Sequence, residues 1–250
     1  MFHRNLALTT VVAVTVVATG AMATASVAST PSVTNHAATR THPAPSRFTH
    51  GRVDNRWFPL RPGNRLVSRG SEDGNRLRDV FLVTYNTAVV DGVTCRAVHD
   101  QVFQNGILRE RTTDWYAQTK RGTVWYFGER TALLNRQGDV VSREGSFRSG
   151  RNGAEAGIFM PAHPVVGQSF KQEDYPGHAE DRFTVLDLTA HISVPVIASD
   201  HAMLTKETTR LEPGVRDHKY YVRDIGTVRE VTVKGGNESL KLVSVKHLAR

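Results

Sequence analysis

Two glycine dipeptides, Asp91-Gly92 and Asn105-Gly106, do most to limit the folds open to this chain. Each tolerates the left-handed backbone that a two-residue hairpin turn demands. Each joins alternating runs: DVFLVTYNTAVV to VTCRAVHDQVFQ, and that run to ILRERTTDWYAQT. Strands joined so tightly are neighbours and antiparallel. The pattern continues through Lys120-Arg121-Gly122, Arg136-Gln137-Gly138-Asp139 and the Gly235-Gly236-Asn237-Glu238 turn, with runs such as TVWYFGER, EDRFTVLDLTA, KYYVRDI and SLKLVSVK between and beyond them. No long stretch carries a helical period. The chain is therefore predicted to be all-β, an antiparallel meander of roughly a dozen strands. Open edges on such a sheet invite aggregation, so a barrel, a half-barrel or a highly curved sheet is expected. The Gly/Pro-rich stretch from Gly145 to Gly167 breaks the pattern. Its apolar middle, GIFMPAHPVVG, should pack, and it is expected as a lid or plug across the barrel mouth.

The N-terminus precedes this pattern and reads differently. Arg4, an uncharged apolar run from Leu6 to Ala18 and small residues at Ala21, Ala23, Ala25 and Ala28 make a secretory signal peptide, assigned to residues 1–25. Its apolar run is shorter than the roughly 20 residues that span a bilayer. Residues 26–50 contain Pro, Thr, Ala and basic residues without an acid, the composition of a disordered linker. Residues 51–250 form a single β domain in this reading. No later segment is apolar enough to span a membrane, so a secreted or extracytoplasmic protein is expected. Cys95 is the single cysteine and sits in a strand-like run, so a buried thiol is expected. His99, four residues on, would lie about 13 Å away along the strand, too far to pair with it.

The formal net charge is +8. With no dense Lys/Arg block, that balance favours anionic surfaces such as cell-surface polymers or acidic headgroups. Nothing combines base-stacking and basic residues in a nucleic-acid module, so no nucleic-acid partner is expected.

The densest stretch is DWYAQTKRGTVWYFGE, Asp114 to Glu129. On the strand before its turn, Leu108, Glu110, Thr112, Asp114, Tyr116 and Gln118 share one face. Ile107, Arg109, Arg111, Thr113, Trp115, Ala117 and Thr119 share the other. Neither is cleanly apolar, as a sandwich would require. Mixed faces favour a polar, aromatic hollow. A three-residue Lys120-Arg121-Gly122 turn, favoured by the glycine, would set Tyr116 against Tyr126 and Asp114 against Gly128. An even-numbered turn would instead bring Trp125, Phe127 and Glu129 to the face of Asp114, because one slip inverts every side chain.

NRWFPLRPG (Asn55 to Gly63), DWYAQTKRGTVWYFGE, GAEAGIFMPAHPVVGQSFKQE, GHAED and LEPGVRDHKYYVRDIGTV occur in this order. Together they resemble a family of uncharacterised secreted β-proteins of bacteria, common in actinobacteria, over a span from about Asn55 to the C-terminus. The resemblance implies export and the extent of the domain. It carries over no activity, cofactor or catalytic residue.

Asp114, Tyr116, Gln118, Tyr126, Glu129 and Tyr221 are the candidate ligand-binding residues, offering hydrogen bonds and aromatic faces to a small amphipathic or envelope-derived ligand. A carboxylate pair, Asp114 with Glu129 or Glu173, would suit acid–base hydrolysis in the same hollow. A basic surface docking on the cell wall is a third reading. His163, Glu173, His178 and Glu180 are weak metal candidates, since their spacing matches no known zinc or calcium loop. The sequence points to no cofactor. NRWFPLRPG is read as structural, with Trp57 and Phe58 docking the chain start.

Overall fold

The structure is a computed structural model and describes residues 42–248. The expected signal peptide and most of the expected linker lie outside the described residues. Among the described residues there is no α-helix, only a 3-10 turn at Pro45–Arg47.

The first half of the domain runs β1 (Asn64–Glu72), β2 (Asn75–Val90), β3 (Val93–Gln104), β4 (Ile107–Gln118) and β5 (Val124–Leu134). Five shorter strands follow: β6 (Val140–Ser142), β7 (Phe147–Arg148), β8 (Glu155–Met160), β9 (Ser169–Lys171) and β10 (Glu173–Asp174). The second half runs β11 (Asp181–Val194), β12 (Ile197–Thr209), β13 (Arg216–Val222), β14 (Gly226–Lys234) and β15 (Ser239–His247). The long strands form two meanders joined where β1 pairs with β15, and the main sheet order is β10-β8-β5-β4-β3-β2-β1-β15-β14-β13-β12-β11-β9. The hairpin dipeptides turn as expected, with positive φ at Asp91, Gly92, Asn105 and Gly106.

The two ends of this order meet in the chain itself. β9 pairs with β11, and β10 pairs with β8, with only Gln172 between them. The Gln172 N–H donates to the Asp181 carbonyl at 2.8 Å. One bent segment thus ties the first edge to the last and makes the antiparallel sheet a nearly closed barrel. The seam is tight: a Cβ on Gly157 of β8 would lie 2.3 Å from the Gln172 carbonyl oxygen. Part of the Gly145–Gly167 segment is therefore strand rather than loop, because β7 and β8 find hydrogen-bonding partners on β5. From β8, Phe159 reaches the buried aromatic group of Phe58, Tyr116 and Tyr126.

The expected linker ends earlier than residue 50. Phe48 is buried, bridges to Thr119 and packs edge-on to Phe127. The His42 ring lies 4.9 Å from that of Phe127 and its Nε2 is 3.0 Å from Asp91 Oδ2. These aromatic side chains gain more from burial than the segment loses in chain entropy. Phe48 and Phe127 join Val90, Val93, Cys95, Ala117 and Ala156 in one apolar cluster, flanked by Trp115 and Trp125. Another cluster gathers Ala190, Ile192, Val194, Ala202, Val222, Val228 and Leu242 in the second half. Trp57 and Phe58 dock the chain start, with Phe58 5.2 Å from Tyr116 between ring centroids.

Candidate functional site

The inward face carries charge. Eleven Asp and Glu side chains are buried among the described residues, against one Lys and no Arg. Alternation puts them there: Asp79 on β2, Asp100 on β3, Glu110 and Asp114 on β4, and Glu207 on β12 share a period of two with buried neighbours on the same strands. An apolar face would have closed into a packed core. Here, polar side chains must be satisfied by one another or by protons.

The β4–β5 hairpin builds the first cluster. Its turn is the three-residue one: the Thr119 N–H donates to the Thr123 carbonyl at 2.8 Å, Gly122 is left-handed with φ of 93°, and Tyr116 opposes Tyr126. The expected pairing of Asp114 with Gly128 does not follow. A bulge between Asp114 and Tyr116 in the ladder moves Glu129 opposite Asp114. Gly128 permits it, with φ of 129° and the Phe147 carbonyl oxygen 2.3 Å from where a Cβ would sit. Tyr126 and Glu129 therefore both share the inward face with Asp114. Neither uniform register delivers both.

Hydrogen bonds run along this face. The Tyr126 hydroxyl donates to Asp114 Oδ1 at 2.6 Å and lies 3.4 Å from Glu129 Oε2. The Thr131 hydroxyl donates to the same Glu129 oxygen at 2.8 Å and shares a 3.0 Å bond with Thr112, which donates to Glu110 at 3.2 Å. Tyr116 stacks on Tyr126 at 4.7 Å, and Phe147 and Phe159 close round them edge-on. Asp114 and Glu129 are each 2 % exposed and Tyr126 is 0 %.

Burial pushes the Glu129 carboxyl well above the usual carboxylate range, and the charges of Glu173 and Asp114 push it further, while the Thr131 hydroxyl opposes the shift. Burial raises Glu173 as well, with Asp181 the largest charge acting in the same direction. Both phenols are also raised, first by burial and then by Asp114. Glu129 and Glu173 therefore hold their protons to higher pH than exposed carboxyls, beside neutral phenols. Glu129 Oε1 and Glu173 Oε1 are buried without a hydrogen-bond partner among the described residues.

Not all the expected residues join this cluster. The side chain of Gln118 anchors the chain start: its Oε1 accepts the N–H groups of Asp54 and Asn55 at 2.8 and 2.7 Å, and its Nε2 donates to Asp54. Tyr221 belongs to a second inward cluster on β12, β13 and β14. Its hydroxyl donates to Glu207 at 3.2 Å, and Lys219 Nζ lies 2.6 Å from Glu207 and 3.4 Å from Glu230. Burial alone would lower the Lys219 pKa, but Glu207 and Glu230 outweigh it and hold the ammonium well above its ordinary value. The Lys219 ion pairs were missed in the sequence, although the alternation that sets Glu207 between Thr205 and Thr209, and Lys219 between Asp217 and Tyr221, was their signal.

The weak metal candidates do not converge. Glu173 is buried, whereas His163 and His178 are exposed. The His178 ring stacks on Tyr175, and Glu180 accepts the Gly177 N–H and pairs with Arg210 at 3.2 Å. Among the described residues, no three His, Cys, Asp or Glu side chains are grouped to hold a metal ion. Cys95 is buried, and burial pushes its thiol pKa up, away from reactivity. No helix among the described residues is long and apolar enough to cross a membrane.

No family model and no curated protein matches the sequence. Among solved structures, the chain is similar to a candidate exported protein with a YmcC-like fold from Bacteroides fragilis, with 11% sequence identity and a TM-score of 0.43 over 77% of this chain and 99% of that chain. A likeness at that level carries no inference about function or export.

Proposed function

We propose that the protein is an exported β-barrel that binds a small amphipathic, envelope-derived ligand against the inward face around Asp114, Tyr126 and Glu129. The observation that supports this reading is the chain of buried carboxyls and hydroxyls from Glu110 to Asp114, flanked by aromatic rings. A barrel that needed only stability would gain more from apolar side chains at these positions. Carboxyls and phenols at one spot suit a guest that donates hydrogen bonds or carries an amine. The rings of Tyr116 and Phe159 would take its apolar part. The signal-like N-terminus and the resemblance to secreted proteins support export.

The test is native mass spectrometry of the protein purified from its own producing organism, followed by thermal shift with amine- and polyol-bearing amphiphiles. A bound small molecule is expected, and saturation at 100 times Kd should stabilise the protein by about 2.7 kcal/mol. The double variant Asp114→Asn, Tyr126→Phe should lose most of that gain. A protein that carries no guest, and is stabilised by nothing in the panel, would end the reading. A hydrolase is the second reading, since Asp114 opposes Glu129 in register and burial holds the Glu129 carboxyl above the usual carboxylate range. Release of a cleaved product, with no retained guest, would favour it.

A further inference from the structure

The outer face of the same hairpin holds a feature that the inner cluster does not use. A groove of about 540 Å³ is lined by His99, Gln101, Arg111, Thr113, Arg130 and Arg143, with Ala132 and Thr112 completing its wall. The sheet register builds it. Gln101, Arg111 and Ala132 form one row across β3, β4 and β5. Arg143 follows Ser142, which opposes Leu133, and so comes level with Ala132. The adjacent row is His99, Thr113 and Arg130. Ala132 is the small residue in the first row, and on either side of it the sheet carries an arginine. That leaves a trough whose floor is an alanine methyl.

The three arginines are exposed, and none forms an ion pair among the described residues. No Asp or Glu lines the groove. Arg111 and Arg130 are diagonal neighbours across the β4–β5 ladder, where like charges cost stability. The usual use of such charges, blunting a sheet edge, does not apply, because β4 and β5 are both paired on their two sides. Uncompensated like charge held together at the centre of a sheet is relieved by an anion.

We propose that this groove is a binding site for a phosphate group. Three guanidinium forks, the Thr113 hydroxyl and the His99 ring approach from three strands and the β6 end. A planar carboxylate offers two acceptor oxygens to such a set, whereas a phosphate offers three or four in a tetrahedron. The phosphate is either free in solution or part of an anionic lipid headgroup, and both present the same oxygens. The site is separate from the inward face and does not depend on what occupies it.

The experiment titrates the full chain with inorganic pyrophosphate by calorimetry at moderate salt. In parallel, it measures cosedimentation with phosphatidylcholine vesicles with and without phosphatidylglycerol. The double variant Arg111→Gln, Arg130→Gln is compared with a charge-matched control, Arg69→Gln, Arg182→Gln, both exposed and outside the groove. Circular dichroism confirms that each variant folds. Pyrophosphate binding weakened at least tenfold by the groove variant, and not by the control, supports a site for free phosphate. Vesicle binding with the same dependence and no pyrophosphate binding supports a headgroup site. Binding of neither probe, or equal loss in both double variants, overturns the proposal.

Discussion

Lys219 illustrates how this barrel tolerates charge inside. It is 1 % exposed, and its ammonium contacts two carboxylates that are themselves buried. Such a pair repays its desolvation only with good geometry, and removing one partner leaves the other stranded. Lys219→Met should therefore destabilise the fold by about 3–5 kcal/mol, read as a lower urea midpoint. Replacing the triad together, Lys219→Met with Glu207→Leu and Glu230→Leu, should recover most of that loss. A single variant as stable as the parent would show that the ammonium contributes nothing there. The reasoning differs at Glu129, where the nearest charges are of the same sign and the proton itself is the partner. Two inward clusters thus solve one problem in two ways, one by a counter-ion and one by protonation.

At the level of strands, the turns were legible in the sequence and the irregularities were not. Asp-Gly, Asn-Gly and Lys-Arg-Gly each specify a local backbone, and each turn formed where the residues required it. The face shared by Asp114 and Tyr116 followed from alternation alone. The favoured three-residue turn alone would set Glu129 off the face of Asp114; the bulge that returns it lies at Gly128, and a glycine within a strand run reads equally as strand or bulge until its neighbour is known. That neighbour is Phe147, whose carbonyl comes too close for any side chain. β8 was missed for a related reason: its pairing with β5 and β10 is long-range, and the surrounding glycines and prolines look like loop. The seam at Gly157 allows a direct test. Gly157→Val places methyl groups against the Gln172 carbonyl and should cost about 1–3 kcal/mol through overpacking. Hydrogen exchange should then quicken at Gln172 and along β9 to β11 while the β2–β3 hairpin stays protected. Uniform loss of protection would mean that the seam is not a separate closure.

Across the whole molecule, the buried acids set how stability responds to pH. In the unfolded chain the Glu129 and Glu173 carboxyls ionise near the ordinary glutamate value, about 4.3. In the folded barrel both hold their protons to higher pH. Between those values the folded state binds more protons, so stability falls as pH rises. The contribution is complete below about pH 4.3 and is lost as pH passes through the raised folded values. The lowered carboxyls, Asp54, Asp187, Asp200 and Asp224, are little buried and titrate below that window, so they do not reverse the trend. Burial lowers His218, which opposes the trend up to its ordinary value near 6.5. Above about pH 6.5 the melting temperature should decline towards pH 8.5, and Glu129→Gln with Glu173→Gln should flatten the decline, with most of the gain at the alkaline end. Equal slopes in parent and variant would remove these two residues from the account. The same linkage reaches the proposed guest. An amine-bearing ligand favours the ionised form of Glu129, so its binding would release a proton and tighten as pH rises through the window in which the empty barrel weakens. A polyol guest, which bonds to either form, would show no such dependence. Affinity measured at pH 5.5 and 8 therefore separates the two guest chemistries with one protein and no variant.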